Sequence, residues 1–183
     1  MKKEVFGDLS EKLKGIDYFF ISGMSVAIYS KGKREPGDID IAINEKDIDK
    51  FAKSLGVKAE KRVINKGTFI IDDYGFITNF KGQIVEATSG YPKKRMSEGK
   101  FNKLFSMKVK KDYLNKEVFV EPIEELLTQK AFMHREKDIR DLRLLKNIKF
   151  NKRRAIELAE DKGNKEEIFH LLKNEGFDLQ SLF

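Results

Sequence analysis

The chain lacks cysteine and tryptophan, and it has only three prolines among 183 residues. Without cysteine, a disulfide framework, a thiol nucleophile and a zinc knuckle are excluded. No apolar run approaches the roughly 18 residues that a membrane helix needs, and the first residues do not resemble a signal segment. We therefore expect a cytoplasmic protein with no membrane partner, long enough for one core or for a core with a helical appendage.

Positive charge is concentrated in one segment. The net charge is +7, and residues 93–116 carry nine lysines and arginines against two acids, so the rest of the chain is neutral. Phe101, Phe105 and Tyr113 alternate with these cations. Such a segment attracts phosphate backbones, and its aromatic rings can stack on bases, which favours an RNA such as tRNA as partner. The alternative is an amphipathic hairpin with core phenylalanines and solvated lysines.

Two carboxylates lie two residues apart in an isoleucine-rich stretch. Asp38 and Asp40 alternate with Ile39 and Ile41, as in a strand with one buried face. Residues i and i+2 of a strand point to the same side, about 7 Å apart, and neighbouring carboxylates repel each other unless a cation lies between them. Mg²⁺ is a cation that carboxylates and substrate phosphates bind together. The alternative is an edge strand with a wet acidic face.

A turn of small residues precedes this strand. Residues 18–21 are aromatic and β-branched, as in a short buried strand, and residues 26–29 would begin a helix. Ser22, Gly23 and Ser25 therefore lie at a helix start, where free N–H groups and the helix dipole attract phosphate. A serine cap beside a turn glycine is common. Turn and acidic strand in this order nevertheless predict a nucleotide site.

A third acid, Glu86, lies in the predicted strand 83–88. It lies either on a wet face of that strand or beside a metal ion. Asp72 and Asp73 compete with it, but they precede Tyr74 and Gly75 and are typical of a turn. Glu86 is therefore our candidate for a third carboxylate of the site.

Lys130 is predicted to point inward from a helix that starts near Pro122. It shares the spacing of the apolar residues Ile123, Leu126, Leu127 and Ala131. A buried lysine needs an anionic partner, which a triphosphate or the acidic site would provide. The alternative is a lysine that snorkels at the edge of the face. Asp138, on the next helix, would orient Lys130, touch the base or ribose, or belong to a solvated face of surface ion pairs.

In these residues the chain resembles the nucleotidyltransferase superfamily with the DNA polymerase β-like fold. It resembles in particular the small antibiotic-nucleotidyltransferase and AbiEii-toxin-like group. The resemblance covers residues 16–146 and consists of a Gly-(Gly/Ser)-Ser turn, an Asp-x-Asp strand, a third acid, a lysine and a charged helical stretch. The matching positions are Gly23, Ser25, Asp38, Asp40, Glu86, Lys130 and residues 135–138. Met24 departs from the pattern, because a second Gly or a Ser is usual there.

The resemblance implies a role for each matching residue. Asp38, Asp40 and Glu86 would hold one or two Mg²⁺ ions, and Glu86 would alternatively be the base for the acceptor hydroxyl. Gly23 and Ser25 would anchor the β- and γ-phosphates of a nucleoside triphosphate such as ATP. Lys130 would neutralise charge on the leaving pyrophosphate.

The predicted fold is α/β (α+β), a nucleotidyltransferase-like mixed sheet flanked by helices, over residues 1–121. A small C-terminal helical subdomain, residues 122–183, would pack against it. Helices are predicted over 8–14, 46–55, 137–149, 153–161 and 166–174. Strands are predicted over 58–64, 68–72, 76–80, 83–88, 104–109 and 117–120.

The predicted activity is Mg²⁺-dependent transfer of a nucleoside monophosphate from a nucleoside triphosphate to an acceptor hydroxyl. RNA, a small molecule and a protein all stay open as acceptor, as does the oligomeric state. The alternatives are an inactive nucleotide- or RNA-binding protein of the same fold, and a nucleotidyltransferase toxin of a toxin–antitoxin pair.

Overall fold

The computed structural model describes residues 2–65, 70–89 and 98–179. Its strands are β1 (Tyr18–Phe20), β2 (Asp38–Ile43), β3 (Glu60–Asn65), β4 (Ile70–Phe80), β5 (Gln83–Thr88), β6 (Val109–Tyr113) and β7 (Lys116–Val120). Its helices are α1 (Lys3–Lys12), α2 (Ser22–Tyr29), α3 (Glu45–Ser54), α4 (Glu98–Met107), α5 (Ile123–Met133), α6 (Glu136–Leu145), α7 (Lys152–Asp161) and α8 (Lys165–Asn174). None of these described helices is long and apolar enough to cross a bilayer.

The strands form one mixed sheet in the order β3-β4-β5-β2-β1-β7-β6. The central strand β2 runs antiparallel to β1 and parallel to β5, and β1 runs parallel to β7. This arrangement confirms the predicted α/β (α+β) class with a mixed sheet. It also places the start of α2 beside β2, because the Ile21 N–H donates to the Asp40 carbonyl oxygen at 3.1 Å.

Alternation along β2 decides which face of the sheet is buried. Ile39, Ile41 and Ile43 are fully buried and pack in a core that residues of α1, α2 and α3 complete. Asp38 and Asp40 point to the opposite face. There Leu104 of α4 packs with Phe105, Phe19 and Ala42 in a smaller cluster. A third cluster contains residues of the four helices α5, α6, α7 and α8 together with Val26 of α2. The domain boundary at residue 121 stays a prediction.

Several predicted elements are confirmed at their positions. The strand 83–88 coincides with β5, and the helix after the acidic strand, the helix after Pro122 and the two C-terminal helices begin within two residues of the prediction. Asn151 caps α7, since its side chain accepts the Arg154 N–H at 3.1 Å. The helix predicted at 8–14 begins earlier, at Lys3, and α2 begins at Ser22 rather than at residue 26.

One strand prediction is wrong, and the break predicted between two other strands is absent. The sequence predicts a strand over residues 104–109, but residues up to Met107 belong to α4, and the strand β6 begins at Val109. Phe101, Leu104 and Phe105 have helical spacing, which outweighs the β propensity of the single residues. The predicted strands 68–72 and 76–80 join in the single strand β4, although residues 66–69 lie outside the described part.

The predicted turn at Asp72 and Asp73 is also wrong, because both residues lie inside β4. Asp73 pairs in register with Arg62 of β3, and its carboxylate forms an ion pair with the Arg62 guanidinium. A buried ion pair therefore replaces the solvated turn that an Asp-Asp-Tyr-Gly sequence would predict.

Candidate functional site

Three predicted carboxylates lie on one face of two neighbouring strands. In the parallel register of β2 and β5, Asp38 lies opposite Ile84 and Asp40 lies opposite Glu86. Directly paired residues on strands about 4.8 Å apart share a face. Asp38 is exposed, while Asp40 and Glu86 are partly buried. Ile84 is itself 43% exposed, so this part of the sheet face is open beside the acids.

The acidic pair suits Mg²⁺ bound together with a substrate. Nowhere in residues 2–65, 70–89 and 98–179 do three metal-ligating side chains form a group that could hold a metal ion on its own. Mg²⁺ usually takes only one or two carboxylates and completes its shell with water and substrate phosphates. Asp38 and Asp40 provide such a pair. The role of Glu86 as a third ligand stays a prediction.

Glu86 lies beside a fixed cation that sequence patterns did not indicate. The Arg62 guanidinium, 13% exposed, lies 4.0 Å from the Glu86 carboxylate and donates to the Ala87 carbonyl oxygen at 3.2 Å. Its ion-pair partner Asp73 is fully buried and accepts the Thr88 hydroxyl at 2.6 Å. Only the β3–β4–β5 register brings these residues together, so no local signal could have revealed Arg62.

At the start of α2, Ser22 and Ser25 form hydrogen bonds with other groups of the protein, and phosphate binding by Ser22, Gly23 and Ser25 stays a prediction. Ser22 has φ of 57°, a left-handed conformation that is uncommon outside glycine, and its N–H donates to the buried Glu121 carboxyl at 2.7 Å. The Ser25 hydroxyl is buried and donates to the Phe20 carbonyl oxygen at 2.7 Å. Met24, at the position that departs from the family pattern, is fully buried in the core. Ser25 therefore stabilises the strand–helix connection in this structure.

Glu121 is a buried carboxyl at this connection. It is 2% exposed. Burial, together with the nearby Glu125, raises its pKa to about 8, against the opposing effects of the Ser22 N–H, the Ser25 hydroxyl and Lys130. At neutral pH the side chain is therefore mostly protonated.

Gly23 contacts an arginine that no sequence motif indicates. A Cβ atom at Gly23 would lie 2.9 Å from Nη1 of Arg34 and 3.1 Å from its Cζ and Nη2 atoms. The guanidinium thus packs directly against the first turn of α2, where only glycine leaves room. Nε of Arg34 donates to Asp141 of α6 at 2.6 Å. The signal in the sequence was weak, since Arg34 lies in a lysine-rich loop.

Lys130 points inward, as the sequence predicts, but its partners are two carboxylates of α6. Its side chain is 4% exposed, with Nζ 3.0 Å from Asp138 Oδ1 and 2.8 Å from Asp141 Oδ2. Arg135 also binds Asp138, at 2.6 Å. Desolvation of the Asp138 carboxyl is more than offset by Arg135 and Lys130, which lower its pKa. Asp138 thus contacts Lys130, as one of the sequence alternatives expected, and its contact with a nucleotide stays a prediction.

The basic segment 93–116 is described only in part, because residues 93–97 lie outside the described ranges. Phe105 is buried, with its ring centroid 4.9 Å from that of Phe19. The Tyr113 ring meets the buried Phe6 ring edge-on at 5.2 Å. These two rings contribute to the core, and the RNA partner stays a prediction.

No family model and no curated protein matches the chain. Solved structures do match. The chain is similar to an antigenic nucleotidyltransferase-like protein from Paracoccidioides brasiliensis, with 16% identity over 99% of this chain and 95% of that one, at a TM-score of 0.50. It also matches the antibiotic-resistance factor ANT(2'')-Ia in complex with adenylyl-2''-tobramycin, with 9% identity over 94% and 95% of the two chains and a TM-score of 0.48.

A solution structure of ANT(2'')-Ia matches with 11% identity over 94% of this chain and 89% of that one, at a TM-score of 0.45. At these identities the similarity concerns the fold, and the Paracoccidioides structure carries that comparison. The chain therefore has the nucleotidyltransferase fold that its sequence resembles.

Proposed function

We propose that the protein transfers a nucleoside monophosphate from a nucleoside triphosphate to an acceptor hydroxyl and releases pyrophosphate. The observation that supports this most directly is the register of β2 and β5, which puts Asp38, Asp40 and Glu86 on one open face. The hydrogen bond from Ile21 to Asp40 ties this face to the start of α2. Carboxylates beside a helix start suit a metal-bound triphosphate.

The roles of the residues follow from their places. Asp38 and Asp40 would hold Mg²⁺, which when bound neutralises phosphate charge and polarises the reacting phosphoryl group. Glu86 would accept the proton of the acceptor hydroxyl. The acceptor oxygen forms a bond to the α-phosphorus while the bond from that phosphorus to the bridging oxygen breaks, so pyrophosphate leaves in line.

The test is label transfer from each of the four α-³²P nucleoside triphosphates, with Mg²⁺ and with total tRNA present or absent. We expect label on RNA, on the protein itself or on an added aminoglycoside, and no transfer by Asp38→Asn or Asp40→Asn. Asp112→Asn is the matched control, because Asp112 is exposed on β6, away from the acidic strands. Equal transfer by Asp40→Asn and the wild type would refute the proposal.

A second candidate is a protein of this fold that binds nucleotide without transferring it. The commitment of the Ser25 hydroxyl to the Phe20 carbonyl favours it, because that hydroxyl is then not directed at a phosphate. This candidate predicts that the protein binds a nucleoside triphosphate with Mg²⁺ but transfers no label to RNA, to protein or to an aminoglycoside acceptor.

A further inference from the structure

Two cations compete for the role of phosphate ligand beside α2. Lys130 is the one that the sequence predicts, and Arg34 is the one that the structure places against Gly23. Both are bound by the same carboxylate, since Asp141 contacts Arg34 through Oδ1 and Lys130 through Oδ2. Their different surroundings decide which of them can reach a ligand.

Lys130 is held on its inner side by two carboxylates. It is 4% exposed, and Asp138 and Asp141 lie 3.0 Å and 2.8 Å from its Nζ atom. Because the side chain is only 4% exposed, a phosphate could reach the ammonium group only if Lys130 moved away from its carboxylate partners. A buried ion pair that loses one partner leaves the other charge uncompensated. Lys130 is therefore placed to hold Asp141.

Arg34 is held by one edge and accessible at the other. Nε donates to Asp141 at 2.6 Å, and Nη1 makes a long contact of 3.4 Å with the Glu35 carbonyl oxygen. In the part of the chain that the structure describes, Nη2 donates no hydrogen bond. The side chain is 21% exposed. A guanidinium anchored in this way presents a fork that suits the paired oxygens of a phosphate.

The charges around Arg34 leave room for an anion. The connected group contains three cations and two carboxylates, namely Arg34, Lys130, Arg135, Asp138 and Asp141. One positive charge is thus uncompensated within the group. Glu121 adds little negative charge at pH 7, because burial raises its pKa to about 8.

We infer that Arg34, rather than Lys130, contacts the β- or γ-phosphate of the nucleotide, and that Lys130 positions Arg34 through Asp141. This inference rests on the proposed function, because it assigns a ligand of the same site. Gly23 has no side chain, and this lets the Arg34 guanidinium lie against the first turn of α2. Arg34 itself lies four residues before Asp38, the first residue of the acidic strand β2.

The test is the affinity for ATP and for inorganic tripolyphosphate, both with Mg²⁺, the latter by competition against a fluorescent ATP analogue. Tripolyphosphate carries no base, so it reports the phosphate contacts alone. We expect Arg34→Ala to weaken both ligands by the same factor, about 10- to 100-fold for a charge-assisted contact, and Arg34→Lys to restore part of the loss. Arg140→Ala is the matched control, because Arg140 pairs with Glu136 on the exposed surface of α6.

A double-mutant cycle distinguishes positioning from direct contact. Lys130→Met should weaken both ligands less than Arg34→Ala does, and the double variant should bind no more weakly than Arg34→Ala alone, because Lys130 acts through Arg34. Three results would each overturn the inference. Arg34→Ala could bind both ligands as the wild type does, or the losses of affinity could add in the double variant. Tripolyphosphate could also fail to displace the fluorescent ATP analogue from the wild-type protein. Wild-type protein that binds none of the four nucleoside triphosphates would instead remove the proposed function itself.

Discussion

Replacing Glu121 by glutamine should change how the stability of the protein depends on pH. The carboxyl is 2% exposed, and burial raises its pKa from an ordinary value of 4.5 to about 8. Between these values the folded protein keeps a proton that the unfolded chain releases. The free energy of unfolding therefore falls as the pH rises from 4.5 to 8, and the full loss is present above pH 8.

The size of the effect follows from the two pKa values. Each pH unit in the window corresponds to about 1.4 kcal/mol. Glu121 therefore costs about 3 kcal/mol at pH 7 and about 5 kcal/mol above pH 8, relative to a side chain that does not titrate. Glu121→Gln keeps a carbonyl oxygen for the Ser22 N–H, so the variant should be equally stable at pH 4.5 and progressively more stable than the wild type above it.

The assay is urea unfolding of both proteins at pH 5, 7 and 9. The charged and polar groups near Glu121 include Glu125 and Lys130 of α5 and the Ser22 N–H and Ser25 hydroxyl of α2. The Tyr29 side chain of α2 is also close to Glu121, and Glu121→Gln alters none of these groups. Glu117→Gln, at a 57% exposed side chain on β7, is the control and should follow the wild type. Parallel stability curves for wild type and Glu121→Gln would refute the reasoning.

Three further substitutions test the packing around the site. Gly75→Ala should destabilise the fold by about 3 kcal/mol in urea unfolding, because its Cβ would overlap the Ala87 carbonyl oxygen; a loss below about 0.5 kcal/mol would contradict this. Gly23→Ala should keep the thermal midpoint within a few degrees but weaken ATP binding measurably, since its Cβ would displace the flexible Arg34 guanidinium; unchanged affinity would contradict it. Lys130→Met should lower the free energy of unfolding by about 3–5 kcal/mol, as expected for a broken buried ion pair, and a neutral effect would argue against the two-carboxylate contact.

Elements with a strong local pattern could be predicted from the sequence. Alternating Asp and Ile gave the acidic strand, and the strand that carries Glu86 was predicted with its observed bounds. Helical spacing placed Lys130 on the buried side of its helix. The sequence did not determine that β2 and β5 are parallel neighbours in the register that pairs Asp40 with Glu86, because register depends on packing between strands that are distant along the chain.

Sequence patterns do not reveal the contacts that residues distant along the chain make with one another. The local sequence around Asp73 is typical of a turn, but Asp73 lies in a strand and pairs with Arg62 of the neighbouring strand. Arg34 lies in a basic loop that matches no motif, and its position depends on the ion pair with Asp141 of α6. Ser25 matches the family pattern, but its hydroxyl donates to the backbone of the preceding strand. A motif thus indicates residue types, but it does not determine the direction in which each side chain points.

The most direct test of the account follows two different labels through the same reaction in parallel incubations. The wild-type protein is incubated with Mg²⁺ and its preferred nucleoside triphosphate, labelled with ³²P either at the α- or at the γ-phosphate. Nucleotidyl transfer predicts that the α-label is transferred to the acceptor and that the γ-label is released in pyrophosphate. Asp40→Asn should abolish both the transfer and the release, and Asp112→Asn should leave both unchanged. A γ-label on the acceptor, or transfer that does not depend on Asp40, would contradict the account.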